Sequence, residues 1–180
     1  LITGGGGYLG SKLAKKLIDT KAKIILADIK FNDISNKLNK DKSNVNQITV
    51  DLTNNENIKS QFENIIPDYI FHFAASLKRE RNFNEYDKLY EANVKMTLNL
   101  LNYFQNINYQ NFIFSSSSEV YGSGNTAPFT ENQVPNPASP YSLTKLMAEN
   151  LISVFSNINH KPYTILRLFN FYGNDMPEHF

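Results

Sequence analysis

Cysteine is absent from the 180 residues, and histidine occurs three times, at His72, His160 and His179. No disulfide framework or thiolate metal site can therefore be built, and three scattered imidazoles do not suggest a metal cluster. Such a composition fits a reducing compartment, and a cytoplasmic protein is expected. Long apolar runs are missing too. No stretch approaches the roughly 18 to 20 residues that a membrane-spanning helix needs, and no signal-peptide pattern precedes the first motif. Charge of one sign is also lacking: 18 Lys and Arg face 17 Asp and Glu, a formal net charge of +1. Neither nucleic acid nor an anionic membrane surface is indicated as a partner. No internal repeat is present. The chain opens at Leu1 without an initiator methionine, and it is expected to be part of something longer.

What is there suffices for one core, since 41% of the residues are hydrophobic and the length suits a single domain. Short apolar runs alternate with helical patterns. Strands are predicted at 1–3, 22–27, 47–50, 69–74, 111–114 and 163–168, with helices up to about 19 and over 56–65, 85–105 and 140–157. The lysine-rich stretch after Asp28 carries no assignment. Residues 123–140, rich in Gly, Asn and Pro, read as a long ordered loop of the kind that is usually functional. Alternating strand and helix implies an α/β fold, a doubly wound, Rossmann-like parallel sheet.

Between the first strand and the first helix lies Thr3-Gly4-Gly5-Gly6-Gly7-Tyr8-Leu9-Gly10, with Gly4, Gly7 and Gly10 in G-x-x-G-x-x-G spacing. Glycines there permit a tight turn, close approach of backbone to a pyrophosphate, and seating of the helix against the strand. The helix N-terminus offers its N–H groups and positive dipole end to the phosphates. Asp28 closes the second strand, where a carboxylate can accept hydrogen bonds from both adenosine ribose hydroxyls and would repel a 2′-phosphate. NAD is therefore the expected cofactor, in preference to NADP.

Pro140-Tyr141-Ser142-Leu143-Thr144-Lys145 sets a tyrosine and a lysine one turn apart on one helix face. An isolated Y-x-x-x-K is usually an ordinary helix surface. After a dinucleotide motif it gains a chemical meaning, because an ammonium favours the phenolate, which can take a proton from a sugar hydroxyl.

These two motifs, together with Val50-Asp51-Leu52, His72-Phe73-Ala74-Ala75, Asn93, the run Ser115 to Gly122 (SSSSEVYG) and Arg167 to Gly173 (RLFNFYG), resemble, in order, the extended short-chain dehydrogenase/reductase family. The likeness spans the whole chain. It implies an NAD-dependent enzyme that oxidises C4 of a nucleotide-activated sugar transiently, with 4-epimerisation first. A 4,6-dehydratase or decarboxylase is the alternative, then a keto-sugar reductase. A catalytically silent dinucleotide-binding sensor or RNA-associated protein is the non-enzyme alternative.

By the same resemblance Tyr8, Leu9, Phe73, Ala74, Ala75 and Ser115 join Gly4, Gly7, Gly10 and Asp28 around NAD, while Asp51 and Leu52 flank the adenine. Asn93 supports the active site. Tyr141 and Lys145 are the implied catalytic pair, and Lys145 also holds the nicotinamide ribose. Ser117 is implied to bind the sugar oxygen beside Tyr141, Ser118 and Asn170 to face the substrate, and Glu119 to be the dehydratase base. Glu119 is equally readable as a loop carboxylate held by hydrogen bonds, and the run Lys78-Arg79-Glu80-Arg81 reads first as a solvated face, with a guanidinium from Arg79 or Arg81 reaching a substrate phosphate or carboxylate as the alternative. No metal site is expected. Residues 1–168 would form the NAD-binding unit and 169–180 the start of a substrate-binding region, most of which lies outside the chain. Family members pair as homodimers through the helices at 85–105 and 140–157. A Pro often follows the family's Tyr-Gly step, where this chain has Asn174, which leaves the course of the last loop open.

Overall fold

A computed structural model of the chain describes residues 1–77, 82–174 and 176; the charge run at 78–81 lies outside the described residues. The strands are β1 (Ile2–Thr3), β2 (Ile24–Asp28), β3 (Val45–Thr49), β4 (Tyr69–His72), β5 (Asn111–Ser117) and β6 (Tyr163–Leu168). They form one sheet in the order β3-β2-β1-β4-β5-β6, and every pairing is parallel. The chain runs outward from β1 to β3, then returns to the centre and runs outward again from β4 to β6. Because parallel crossovers are right-handed, the two halves carry their helices on opposite faces. The reversal at β1 and β4 opens a crevice at the carboxyl ends of the strands.

The connecting helices are α1 (Tyr8–Leu17), α2 (Asp33–Asp41), α3 (Asn55–Gln61), α4 (Tyr86–Tyr90), α5 (Met96–Phe104) and α6 (Pro140–Asn159). Helix α2 occupies the lysine-rich stretch that sequence patterning left unassigned. Its start is fixed by Asn32, whose side chain accepts from Ser35 N at 2.8 Å. Helices α4 and α5 follow one course, as the pattern over 85–105 predicts, but a π-helical turn at Glu91–Lys95 separates them. Ser139 begins α6 with a capping box to Ser142, and Pro140 fills the first turn.

Two apolar clusters hold these layers. Ile2, Ala14, Ile24, Leu26, Leu38 and Val45 join α1 and α2 to β1, β2 and β3. The larger one sets Ile58, Leu100, Phe104 and Ile152 against Ile70 and Phe112. Each fully buried large side chain there contributes roughly 1.5–3 kcal/mol. The loop at 122–139 is ordered by its own contacts: Asn125 Nδ2 donates to the carbonyls of Tyr121 and Val134, and Phe129 stacks on Tyr121 at 5.1 Å. Among the described residues, no helix is long and apolar enough to cross a membrane.

Candidate functional site

The crevice is a cleft of about 1050 Å³. At one end the glycine turn forms its floor. Gly4 has φ +68°, and a Cβ there would meet Ala74 N at 2.6 Å; Gly10 has no room either, because a Cβ would come within 2.3 Å of the Gly4 carbonyl oxygen. These contacts bring α1 hard against the turn. Its N-cap, Gly7, supplies no side-chain cap, and the start of the helix, Tyr8 to Gly10, borders the cleft. That is a cradle for a diphosphate. Asp28 borders the same space, and its carboxylate accepts from Gly6 N at 2.9 Å and Ile29 N at 2.7 Å. The acid thus shapes the glycine turn while keeping lone pairs for a ribose. Asp51 accepts from Thr53 N and Thr53 Oγ1, and it lines the cleft beside Leu52.

At the other end β5 delivers the serine run. The strand continues through Ser117, three residues beyond the expected end at Phe114. The four serines differ in what they touch. Ser115 donates to the His72 carbonyl, and Ser116 is buried and donates to Glu149. Ser117 borders the cleft and caps the next turn by accepting from Glu119 N at 3.1 Å. Ser118 and Glu119 line the cleft as well, and Glu119 Oε2 accepts from Ser139 Oγ at 3.5 Å. Helix α6 brings Tyr141 and Lys145 to this end. Lys145 is 2% exposed, donates to the Ser115 carbonyl at 2.7 Å and lies 4.6 Å over the Phe114 ring. Burial pushes its ammonium down to about 7, against an opposing pull from Glu149.

Behind the cleft runs a buried polar chain. Thr3 Oγ1 bonds His72 Nδ1 at 2.7 Å, and His72 Nε2 bonds Thr97 Oγ1 at 3.0 Å. Since the Thr97 hydroxyl donates to the Asn93 carbonyl, it must accept from the ring. His72 is therefore the neutral Nε2–H tautomer, and burial, then the Lys145 charge, hold it down at about 3. Asn93 does not line the cleft. Its Oδ1 accepts from Ser76 N, and its Nδ2 donates to Thr144 Oγ1. The π-helical turn carries Asn93 and so ties the wall after β4 to α6.

The structure brings together every other residue that the sequence marks for cofactor, chemistry and substrate, including Tyr8, Leu9, Phe73, Ala75 and Asn170. Sequence reasoning missed the far wall at Phe31 and Asn32, and the Glu149–Arg167 pair behind the serines. The loop at 169–174 runs back over the glycine turn, where Phe171 stacks on Tyr8 at 6.1 Å and Tyr8 Oη donates to the Asn174 carbonyl at 3.3 Å. Among the described residues, no group of three or more His, Asp or Glu side chains could hold a metal ion.

The chain matches, over residues 1–180, the model of the NAD dependent epimerase/dehydratase family. It is 32% identical to a putative UDP-glucose 4-epimerase of Methanocaldococcus jannaschii, over 96% of this chain and 56% of that one. A probable dTDP-glucose 4,6-dehydratase of Sinorhizobium fredii is 30% identical over 100% of this chain and 54% of its own. Among solved structures, a UDP-glucuronic acid 4-epimerase from Bacillus cereus in complex with NAD superposes with a TM-score of 0.86, at 27% identity, over 99% of this chain and 59% of that one. The chain spans about half the length of the curated relatives it matches.

Proposed function

The chain belongs to the NAD dependent epimerase/dehydratase family, and from that premise we propose that it is the cofactor-binding and catalytic part of a nucleotide-sugar 4-epimerase. The observation that carries this reading is one cleft with a glycine cradle and Asp28 at one end and Ser117, Tyr141 and Lys145 at the other. NAD bound there would supply a hydride acceptor that is regenerated within each cycle. Gly4, Gly7, Gly10 and the start of α1 would hold its diphosphate, Asp28 its adenosine ribose, and Asp51 and Leu52 its adenine. Ala74, Ala75 and Ser115 line the nicotinamide end.

Lys145 has three donors. One is satisfied by the Ser115 carbonyl, and the others are available to the nicotinamide ribose. Its charge favours the Tyr141 phenolate, which removes the proton from the sugar 4-hydroxyl while Ser117 orients that oxygen. On the return step Tyr141 gives the proton back. Asn93 holds α6 and the wall after β4 in register through Thr144 and Ser76. Ser118 and Asn170 face the sugar. Residues 169–180 open the substrate-binding region. The protein is cytoplasmic and acts as a homodimer through the helices at 85–105 and 140–157, with no nucleic-acid or membrane partner.

One observation favours a second reading, the 4,6-dehydratase: Glu119, the acid that would serve as the base, borders the same cleft as Tyr141. The test gives the full-length protein UDP-, GDP-, CDP- and dTDP-hexoses and follows the products by NMR. C4 inversion without loss of water is expected, and Tyr141→Phe should lower kcat by about 10²–10⁴-fold while NAD stays bound. A 4-keto-6-deoxy product would replace the epimerase reading with the dehydratase one.

A further inference from the structure

Lys145 has to be charged to favour a phenolate, yet its surroundings oppose charge. The groups that face it are Tyr141 one turn earlier on α6, neutral His72 on β4, the Ser115 carbonyl on β5, and Glu149 one turn later on α6. Glu149 carries the compensating negative charge, and it is itself only 4% exposed. Its Oε1 accepts from Ser116 Oγ and from Arg167 Nε at 3.1 Å, and its Oε2 from Arg167 Nη2 at 2.8 Å. One carboxylate thus joins α6, β5 and β6. The residue it grips on β5, Ser116, stands between the carbonyl that receives Lys145 and the hydroxyl of Ser117 in the cleft.

Stability does not account for an acid at this place. The neighbouring Ala148 and Ile152 are fully buried, and replacing a whole buried ion pair by well-packed hydrophobic groups is often neutral or stabilising. We propose that Glu149 is a positioning residue: through Ser116 and Arg167 it fixes the end of β5 on which Lys145 and Ser117 depend, and it sets a buried carboxylate one helical turn from Lys145. This rests on the reading of Tyr141 and Lys145 as the catalytic pair. Arg167 works against Glu149 electrostatically, since its guanidinium, 4.9 Å from the Tyr121 ring, is the nearer claimant on the carboxylate.

The test uses the full-length, NAD-bound protein as wild type, Glu149→Gln and Arg167→Met. Lys145 is titrated by ¹³C NMR of its ε-carbon, and kcat is followed against pH. Both substitutions break the same ion pair, so a purely structural role would move both variants alike. A charge role moves them apart. Glu149→Gln should lower the Lys145 midpoint by about one pH unit and shift the alkaline limb of kcat down with it, whereas Arg167→Met should raise the midpoint. Midpoints that move in the same direction, or do not move, would overturn the proposal. Should Glu149→Gln fail to fold, Glu149→Asp takes its place: the shorter carboxylate should move the Lys145 midpoint in the direction opposite to Arg167→Met, and movement in the same direction would overturn the proposal. If the wild type turns over no nucleotide sugar, the functional reading fails while the titration still decides the role of Glu149.

Discussion

Replacing Lys145 by methionine should make the cofactor-free protein more stable at neutral pH while removing its activity. The lysine is buried, and burial lowers its midpoint from 10.5 to about 7. In the unfolded chain it regains the ordinary value, so below pH 10.5 the unfolded state binds more protons than the native state does. Native stability therefore falls as pH drops from 10.5 towards 7. At about 1.4 kcal/mol per unit, the cost at pH 7 is on the order of 4 kcal/mol. Against this stands the bond to the Ser115 carbonyl, whose loss leaves a buried acceptor unsatisfied at about 2 kcal/mol. Methionine fills a similar volume, so the variant should gain about 2 kcal/mol at pH 7, worth a rise of roughly 4–8 °C in Tm. The gain shrinks as pH rises and changes sign near about pH 9, where the lysine cost has fallen to the value of the bond. Urea unfolding of both proteins between pH 7 and 10 measures this directly. A variant less stable than wild type at pH 7, or a difference that does not vary with pH, would refute the reasoning.

The features legible in the sequence are those whose chemistry depends on local spacing. Gly4, Gly7 and Gly10 are demanded by backbone contacts within one turn, Asp28 by its place at a strand end, and Tyr141 with Lys145 by a single helical turn; each is visible in a window of a few residues. Helix α2 was not legible because only Ile34 and Leu38 mark its apolar face, and its start is set by the Asn32 cap within a polar stretch. The π-helical turn hid for a related reason. In a regular helix Leu89 would lie roughly 120–180° round from Val94, Leu98 and Leu101; the extra residue at 91–95 brings Leu89 and Val94 to one buried face, and Leu98 emerges 37% exposed beside buried Thr97 and Leu101. Glu149 carries no local signal that separates it from a surface acid. Its role depends on Arg167, eighteen residues later on another element, and on a serine that looks like its neighbours until the strand alternation sorts them onto different partners.

The same geometry bears on two further sites. Gly10→Ala should destabilise the fold by about 1–3 kcal/mol and weaken NAD binding, because the added Cβ would lie 2.3 Å from the Gly4 carbonyl oxygen and 2.9 Å from Gly5 Cα; helix propensity alone would stabilise by about 1 kcal/mol, so a Tm at or above wild type would contradict the tight seat of α1. His72→Gln should remove a pH dependence. The native ring is held at about 3, whereas the unfolded histidine protonates near 6.5, so the contribution is whole above pH 6.5 and is lost as pH falls through the native value. The slope approaches about 1.4 kcal/mol per unit below pH 6.5, and on the order of 5 kcal/mol is at stake by pH 3. Between pH 6.5 and 4 the wild type should lose stability faster than the glutamine variant, which keeps a donor and an acceptor for Thr97 and Thr3. Parallel losses would show that the buried ring accepts a proton in the native state, and the tautomer inferred from the Thr97–Asn93 bond would then be wrong.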